Sequence, residues 1–294
     1  MSLTNGVEML QRARAEGYAI GAFDVVNWEF LQGVIQGAAR KKAPVIVSLA
    51  EMHLDHLDLE IFAPTLLKAA ELAPVPVSVH LDHGESLETV ERALRAGFTS
   101  VMLDGSLLPY EENVRLTREA VRLARSFGAA VEAELGAVPG REFYAEERDQ
   151  GRMSSPPVEG RFLYTDPDQA RDFVSRTGCD FLAVSVGTVH GLYKGEVRLD
   201  FDRLERIRKA VPVPLVLHGG SGLSAEDYRR LIAGGIAKIN FYAELSHAAV
   251  RAVKEAASDP GAAGILRFLV PIREAVQRVV EEKIEIWGSA GKAA

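Results

Sequence analysis

Short, nearly all-apolar runs alternate with longer amphipathic stretches along this chain. Helical spacing over Thr4–Glu16 leads into a first strand, Ala19–Val25. Asn27 is placed to cap a helix reaching Arg40, and Ala43–Leu49 forms the second strand. A helix over Asp58–Leu72 precedes strand three, Val77–Asp82, and a helix from Ser86 to Ala96 precedes strand four, Ser100–Leu103. The long helix Tyr110–Phe127 leads to strand five, Ala130–Leu135. Gly136–Tyr164 then breaks the rhythm with Gly, Pro, Ser and many charges; a connection of this length inside a compact domain is usually functional. The order resumes with a helix at Pro167–Arg176, strand six at Phe181–Val186, a helix at Phe201–Ala210, strand seven at Leu215–His218, a helix at Ala225–Ala233 and strand eight at Lys238–Phe241. Helical patterns over Ser246–Ala257 and Ile265–Trp287 follow.

Eight strand–helix units without a break in composition predict a (β/α)8 barrel. It is expected to be a single domain over residues 1–294 with extra N- and C-terminal helices. A doubly wound open sheet is the competing arrangement. Near-continuous apolar strands, buried on both faces, favour closure.

A barrel demands that its chemistry sit at the carboxyl ends of the strands. Strand three carries the clearest case, Val77-Ser78-Val79-His80-Leu81-Asp82-His83-Gly84. Period two puts His80 and Asp82 on one face, and His83 follows at the exit. An inward acid and imidazole are costly unless paired or metal-bound. A satisfied buried His–Asp pair would explain this stretch alone, but strand ends downstream repeat the design. Strand four ends in Asp104-Gly105-Ser106 and strand five in Glu132-Ala133-Glu134-Leu135-Gly136. The loop after strand six holds Gly187-Thr188-Val189-His190-Gly191, with Lys194 close behind. Strand seven ends in His218-Gly219-Gly220-Ser221-Gly222, and strand eight carries Lys238 and Asn240.

His83, His190 and His218 thus come from three loops around one mouth. Three neutral imidazoles with an open position suit a catalytic divalent ion, zinc by default. His53, His56 and His247 lie in charged or late helical segments and read as ordinary surface or packing residues. The glycines after His218 would expose backbone N–H groups ahead of a helix N-terminus, and Ser221 adds a hydroxyl. That suits a phosphate, although tight turns also call for glycine.

Composition narrows the partners. A net charge of −7 argues against a general nucleic-acid or anionic-membrane binder, and no apolar run is long enough to span a membrane. Glu8, Arg12 and Arg14 interrupt any apolar run near the N-terminus, so no signal peptide is expected. The single cysteine, Cys179, excludes an internal disulfide and fits a reducing cytoplasm.

Taken together, these motifs resemble the class II, metal-dependent ketose-bisphosphate aldolases over essentially the whole chain. The matching residues include His80-Leu81-Asp82-His83, Val101-Met102-Leu103-Asp104-Gly105-Ser106, Glu132–Gly136, Gly187–Gly191, Leu217–Leu223, Lys238-Ile239-Asn240 and the tail Gly288-Ser289-Ala290-Gly291-Lys292-Ala293. The resemblance implies that Asp82 is the acid/base at the carbon next to the new bond and that His83, His190 and His218 bind zinc. It makes Glu134 a ligand for an alternative or second site, taking a divalent or monovalent cation. Gly191, Lys194, Gly219, Ser221 and Asn240 match positions around a ketose phosphate. Glu142, ahead of Glu146 and Glu147, is the nearest match to a loop glutamate that exchanges a proton with the aldehyde-side hydroxyl. The implied substrate is a sugar phosphate, with fructose 1,6-bisphosphate first and tagatose 1,6-bisphosphate next, and the implied assembly is a homodimer or homotetramer.

Three departures stand out. Phe23-Asp24 replaces the family's Phe-Asn, which would bring a negative charge toward substrate. Ala50 stands in for a small hydroxyl residue, with Glu51 beside it, and Ala243 replaces a threonine. They are expected to weaken the phosphate grip and to alter the aldehyde portion accepted. A barrel isomerase or epimerase would use the same ion without cleaving a carbon–carbon bond, whereas Asp82 and a glutamate-bearing loop favour cleavage. A non-catalytic relative would be marked by lost histidine ligands, and none is lost. Lys238, on a strand, is the one lysine placed to suggest Schiff-base chemistry instead.

Overall fold

The computed structural model describes residues 2–140, 164–191, 197–259, 261 and 264–293. Eight strands close into a barrel in sequential order, β1 to β8, with every neighbouring pair parallel. They are β1 (Ile20–Asp24), β2 (Val45–Ala50), β3 (Val77–Gly84), β4 (Ser100–Leu103), β5 (Ala130–Leu135), β6 (Phe181–Val184), β7 (Leu215–Leu217) and β8 (Ile236–Phe241). Ten α-helices are found among the described residues: α1 (Val7–Glu16), α2 (Trp28–Lys41), α3 (Leu59–Leu72), α4 (Leu87–Arg95), α5 (Tyr110–Phe127), α6 (Pro167–Thr177), α7 (Phe201–Ala210), α8 (Ala225–Ala233), α9 (Ala243–Ala257) and α10 (Leu266–Ile286).

Local chemistry sets several helix starts. Asn27, Asp58, Ser86, Asp166, Asp200 and Ser224 each accept a backbone N–H from the first turn of the helix they precede. Every strand residue is buried, because helices cover the outside and side chains fill the inside. Two apolar clusters divide the work. The larger lies between sheet and helices, with Val47, Val79, Val101, Val131 and Leu182 on the sheet side. The smaller fills the amino end of the barrel interior with Ile20, Ala22, Ile46, Ala130, Phe181 and Val216, and Leu10 and Ala13 of α1 close it off. The opposite, carboxyl end is left for polar groups.

The strands differ from the sequence expectation at their ends. β6 and β7 stop at Val184 and Leu217, so His218 enters a loop, and β8 begins two residues early at Ile236. A strand buried on both faces has no polar alternation to mark where it stops. β3 instead runs on to Gly84, with its register against β4 shifting between Leu81 and Gly84. Within that shift His83 takes a left-handed φ of 47°.

Candidate active site

Period two alone would point His83 outward with Leu81. The irregularity at the end of β3 turns it over the mouth, beside Asp82. A positive φ is uncommon outside glycine, though histidine is among the residues that adopt it, and such positions gather at functional sites. The His83 ring is held by Asp104 at the end of β4, with Nδ1 2.7 Å from Oδ2. Asp104 is itself fixed, accepting bonds from the Ser106 N–H and hydroxyl.

His218 leaves β7 pointing inward. Its Nε2 lies 2.9 Å from Glu132 Oε1, and its Nδ1 lies 3.0 Å from His83 Nε2. His190 approaches from the loop after β6, where its backbone N–H bonds to Pro139. Its ring centre is 5.1 Å from that of His83 and 5.9 Å from that of His218. All three rings are buried, and one nitrogen from each lies within 4.8 Å of the others.

This donor set fits a divalent ion. His83 and His218 each present a carboxylate to one ring nitrogen and turn the other toward the shared centre, an arrangement that fixes tautomer and ring plane in metal sites. Burial pushes His218 well below its ordinary 6.5, the direction that favours the neutral ring a metal needs. The 3.0 Å between ring nitrogens is close to the roughly 3.3 Å edge of a tetrahedron with zinc–nitrogen bonds of about 2.0–2.1 Å. Glu134 Oε2 lies 3.4 Å from His218 Nδ1, and Glu134 groups with His83 and Asp104 in a second cluster able to hold a cation.

Asp82 stands beside the imidazoles at 3 % exposure, its Oδ1 accepting a bond from Asn240 Nδ2 at 2.7 Å. Burial by itself would raise this carboxyl. Favourable electrostatic interactions with His83, His218 and Lys238 outweigh it and hold the group below its ordinary range. Asp24, across the mouth, goes the other way: burial first, then the Asp82 charge, push it well above 3.8. The two neighbouring carboxyls are thus pushed in opposite directions. Asp24, Asp82, His190, Gly191, Ser221 and Asn240 line one small, tight pocket at this end of the barrel.

Residues 4–292 match the family described as fructose-bisphosphate aldolase class-II. The chain belongs to that family. A fructose-bisphosphate aldolase from Thermus caldophilus is 42 % identical over 317 aligned positions, covering 99 % of this chain and 100 % of that one. The Escherichia coli K12 protein YdjI is 45 % identical over 276 residues, 94 % of each chain. A crystal structure of the YdjI aldolase superposes with a TM-score of 0.86 at 41 % identity, covering 99 % of this chain and all of that one. The protein is accordingly a metal-dependent, class II carbon–carbon lyase acting on a ketose bisphosphate, and the barrel isomerase reading is not favoured.

In this aldolase the glycine-rich loop after His218 is shaped by its surroundings. A Cβ on Gly219, where φ is +65°, would meet the Val189 carbonyl oxygen at 2.3 Å. The Gly222 N–H, read from sequence as open to a phosphate, donates instead to Glu244 Oε1 at 2.6 Å. Ser221 is buried on the cavity wall.

The surroundings modify two of the family departures. At Asp24, burial and then the neighbouring Asp82 charge both work against a second negative charge at the mouth. The Glu51 carboxylate is engaged by its neighbours, accepting the Glu85 N–H at 2.6 Å and the Thr89 hydroxyl at 2.7 Å. Lys194, Glu142, Glu146 and Glu147 lie outside the described residues. Asp104 and Glu132, which hold the two imidazoles, were visible as strand-end acids but had no role in the sequence reading. Their place at the ends of strands four and five marked them as candidates, while only the fold reveals their partners.

No helix among the described residues is long and apolar enough to cross a membrane.

Proposed function

We propose that this aldolase cleaves fructose 1,6-bisphosphate reversibly to dihydroxyacetone phosphate and an aldehyde, with zinc held by His83, His190 and His218. The reading is carried by the mutual approach of three buried ring nitrogens next to an ionised, oriented Asp82. A zinc ion there supplies Lewis-acid stabilisation for the negative charge that develops at the ketone oxygen on cleavage. Asp82 takes up and returns the proton that the reacting carbon centre must exchange, and Asn240 keeps its carboxylate turned toward the mouth. Gly191, Gly219 and Ser221 receive the ketose phosphate through backbone N–H groups and a hydroxyl, with Lys194 adding charge. Glu142 handles the proton of the aldehyde-side hydroxyl, and Glu134 offers the alternative cation position. The protein works in the cytoplasm as a homodimer or homotetramer.

Lys238 has no part as a Schiff-base nucleophile in this scheme, because its ammonium is committed to Glu132 at 2.6 Å beneath the histidines. Treatment with EDTA is expected to abolish release of triose phosphate from fructose 1,6-bisphosphate, and added zinc to restore it. Borohydride with substrate should trap no adduct. Asp82→Ala should retain zinc and fold while losing at least about a hundredfold in kcat, the scale of a general acid–base contribution. Full activity in protein shown to be metal-free would sink the proposal.

A further inference from the structure

Lys238 is 1 % exposed, inside the barrel, and the reaction described above does not use it. An ammonium in such a place is costly unless strongly paired. Its register sets its height: Lys238 lies opposite Ile20 of β1 and Val216 of β7, two residues before Asn240 and one layer beneath His218. A methionine or leucine would fill this position at lower cost if packing were the only requirement.

Nζ donates to Glu132 Oε2 at 2.6 Å, while the other oxygen of the same carboxylate, Oε1, sits 2.9 Å from His218 Nε2. The ammonium also lies 3.4 Å from His80 Nε2, which is itself 3.7 Å from Glu132 Oε2, and His80 is in turn anchored through Nδ1 to Ser100 Oγ at 2.8 Å. An unbroken polar path therefore runs Ser100, His80, Lys238, Glu132, His218, ending on the ring nitrogen that faces His83. Glu132 bonded to His218 alone could rotate about its terminal torsion, which is broad for a carboxylate. Fixing Oε2 on Lys238 removes that freedom and aims Oε1 at the imidazole.

We infer that Lys238 is a positioning residue for the metal centre, acting through Glu132 to set the orientation of His218. The inference rests on the three-histidine metal reading. Groups of this kind are typically worth 10–100-fold in metal affinity.

The test is zinc affinity, measured by competition with a chromogenic chelator on the full-length protein. The visible spectrum of the cobalt-substituted protein supplies a readout of ligand geometry. Lys238→Met should bind zinc about ten- to a hundredfold more weakly and change the cobalt d–d bands, and Lys238→Arg should recover most of the affinity. Removing the cation alone leaves a buried carboxylate uncompensated, so Lys238→Met combined with Glu132→Gln supplies a neutral pair of similar size. That double variant is expected to show the same weakening. Zinc affinity within threefold of wild type, with an unchanged cobalt spectrum, in either variant would overturn the inference and reduce Lys238 to barrel filling. Failure of the wild-type protein to bind zinc at all would instead remove the metal reading on which the inference stands.

Discussion

At the scale of single residues, the mouth separates two neighbouring acids by environment. Asp82, near His83, His218 and Lys238, is held below its ordinary range, whereas burial and the Asp82 charge raise Asp24 well above it. A protonated carboxyl resembles the side-chain amide of asparagine in carrying both a donor and an acceptor. The aspartate for asparagine change in β1 is thus milder at neutral pH than its formal charge suggests. The linkage has a definite sign. Asp24 binds its proton more tightly folded than unfolded, so its contribution is favourable in acid and is lost as pH rises. Asp24→Asn removes that dependence. In urea unfolding of the zinc-free protein, the variant should be more stable than wild type near pH 8, with the gap closing toward about pH 4. A variant less stable at the alkaline end would mean that Asp24 is ionised and well paired.

At the scale of elements, two features hold the mouth in place. The irregular end of β3 redirects His83, and Gly84, whose Cβ would lie 2.4 Å from the Met102 carbonyl oxygen, lets β3 and β4 stay close there. On the outside, α10 lies against α2, the helix that follows β1. Gly33 of α2 makes that contact possible: an added Cβ would meet Arg273 O and Val276 Cγ1, both at 2.8 Å. Because one neighbour is backbone, the helices must separate to admit a methyl group. Gly33→Ala should cost about 1–3 kcal/mol in denaturant unfolding while leaving zinc affinity unchanged. Here the sequence was legible only in part. Caps and apolar periods marked every helix and strand used above, because these signals are local. The β3 irregularity had no sequence mark, since it arises from the fit of β3 against β4.

At the scale of the molecule, the closed barrel sorts residues by height as well as by side. Apolar groups fill the amino end under α1, a layer of paired charges follows, and the imidazoles lie above it. Cys179, just before β6, is buried in the outer core, and burial raises its thiol to about 12. It should resist Ellman's reagent in the native protein near pH 8, since the thiolate is the reactive form. Labelling should begin only as the barrel opens, coinciding with loss of the helical circular dichroism signal. Labelling well before that transition would reveal local opening around β6.

The amino-acid order by itself determined the eightfold alternation, the shared face of His80 and Asp82 on strand three and the loops that carry His83, His190 and His218, because period and turn chemistry are properties of neighbours along the chain. It also located Asp82 and the glycine loop at the correct end of the barrel. Which acid supports which imidazole was decided only by tertiary structure. Asp104 meets His83 across 21 positions, Glu132 meets His218 across 86, and Lys238 meets Glu132 across 106. Such pairings depend on strand register and closure of the sheet, and burial in that closed space then raises Asp24 and lowers His218 from their ordinary values.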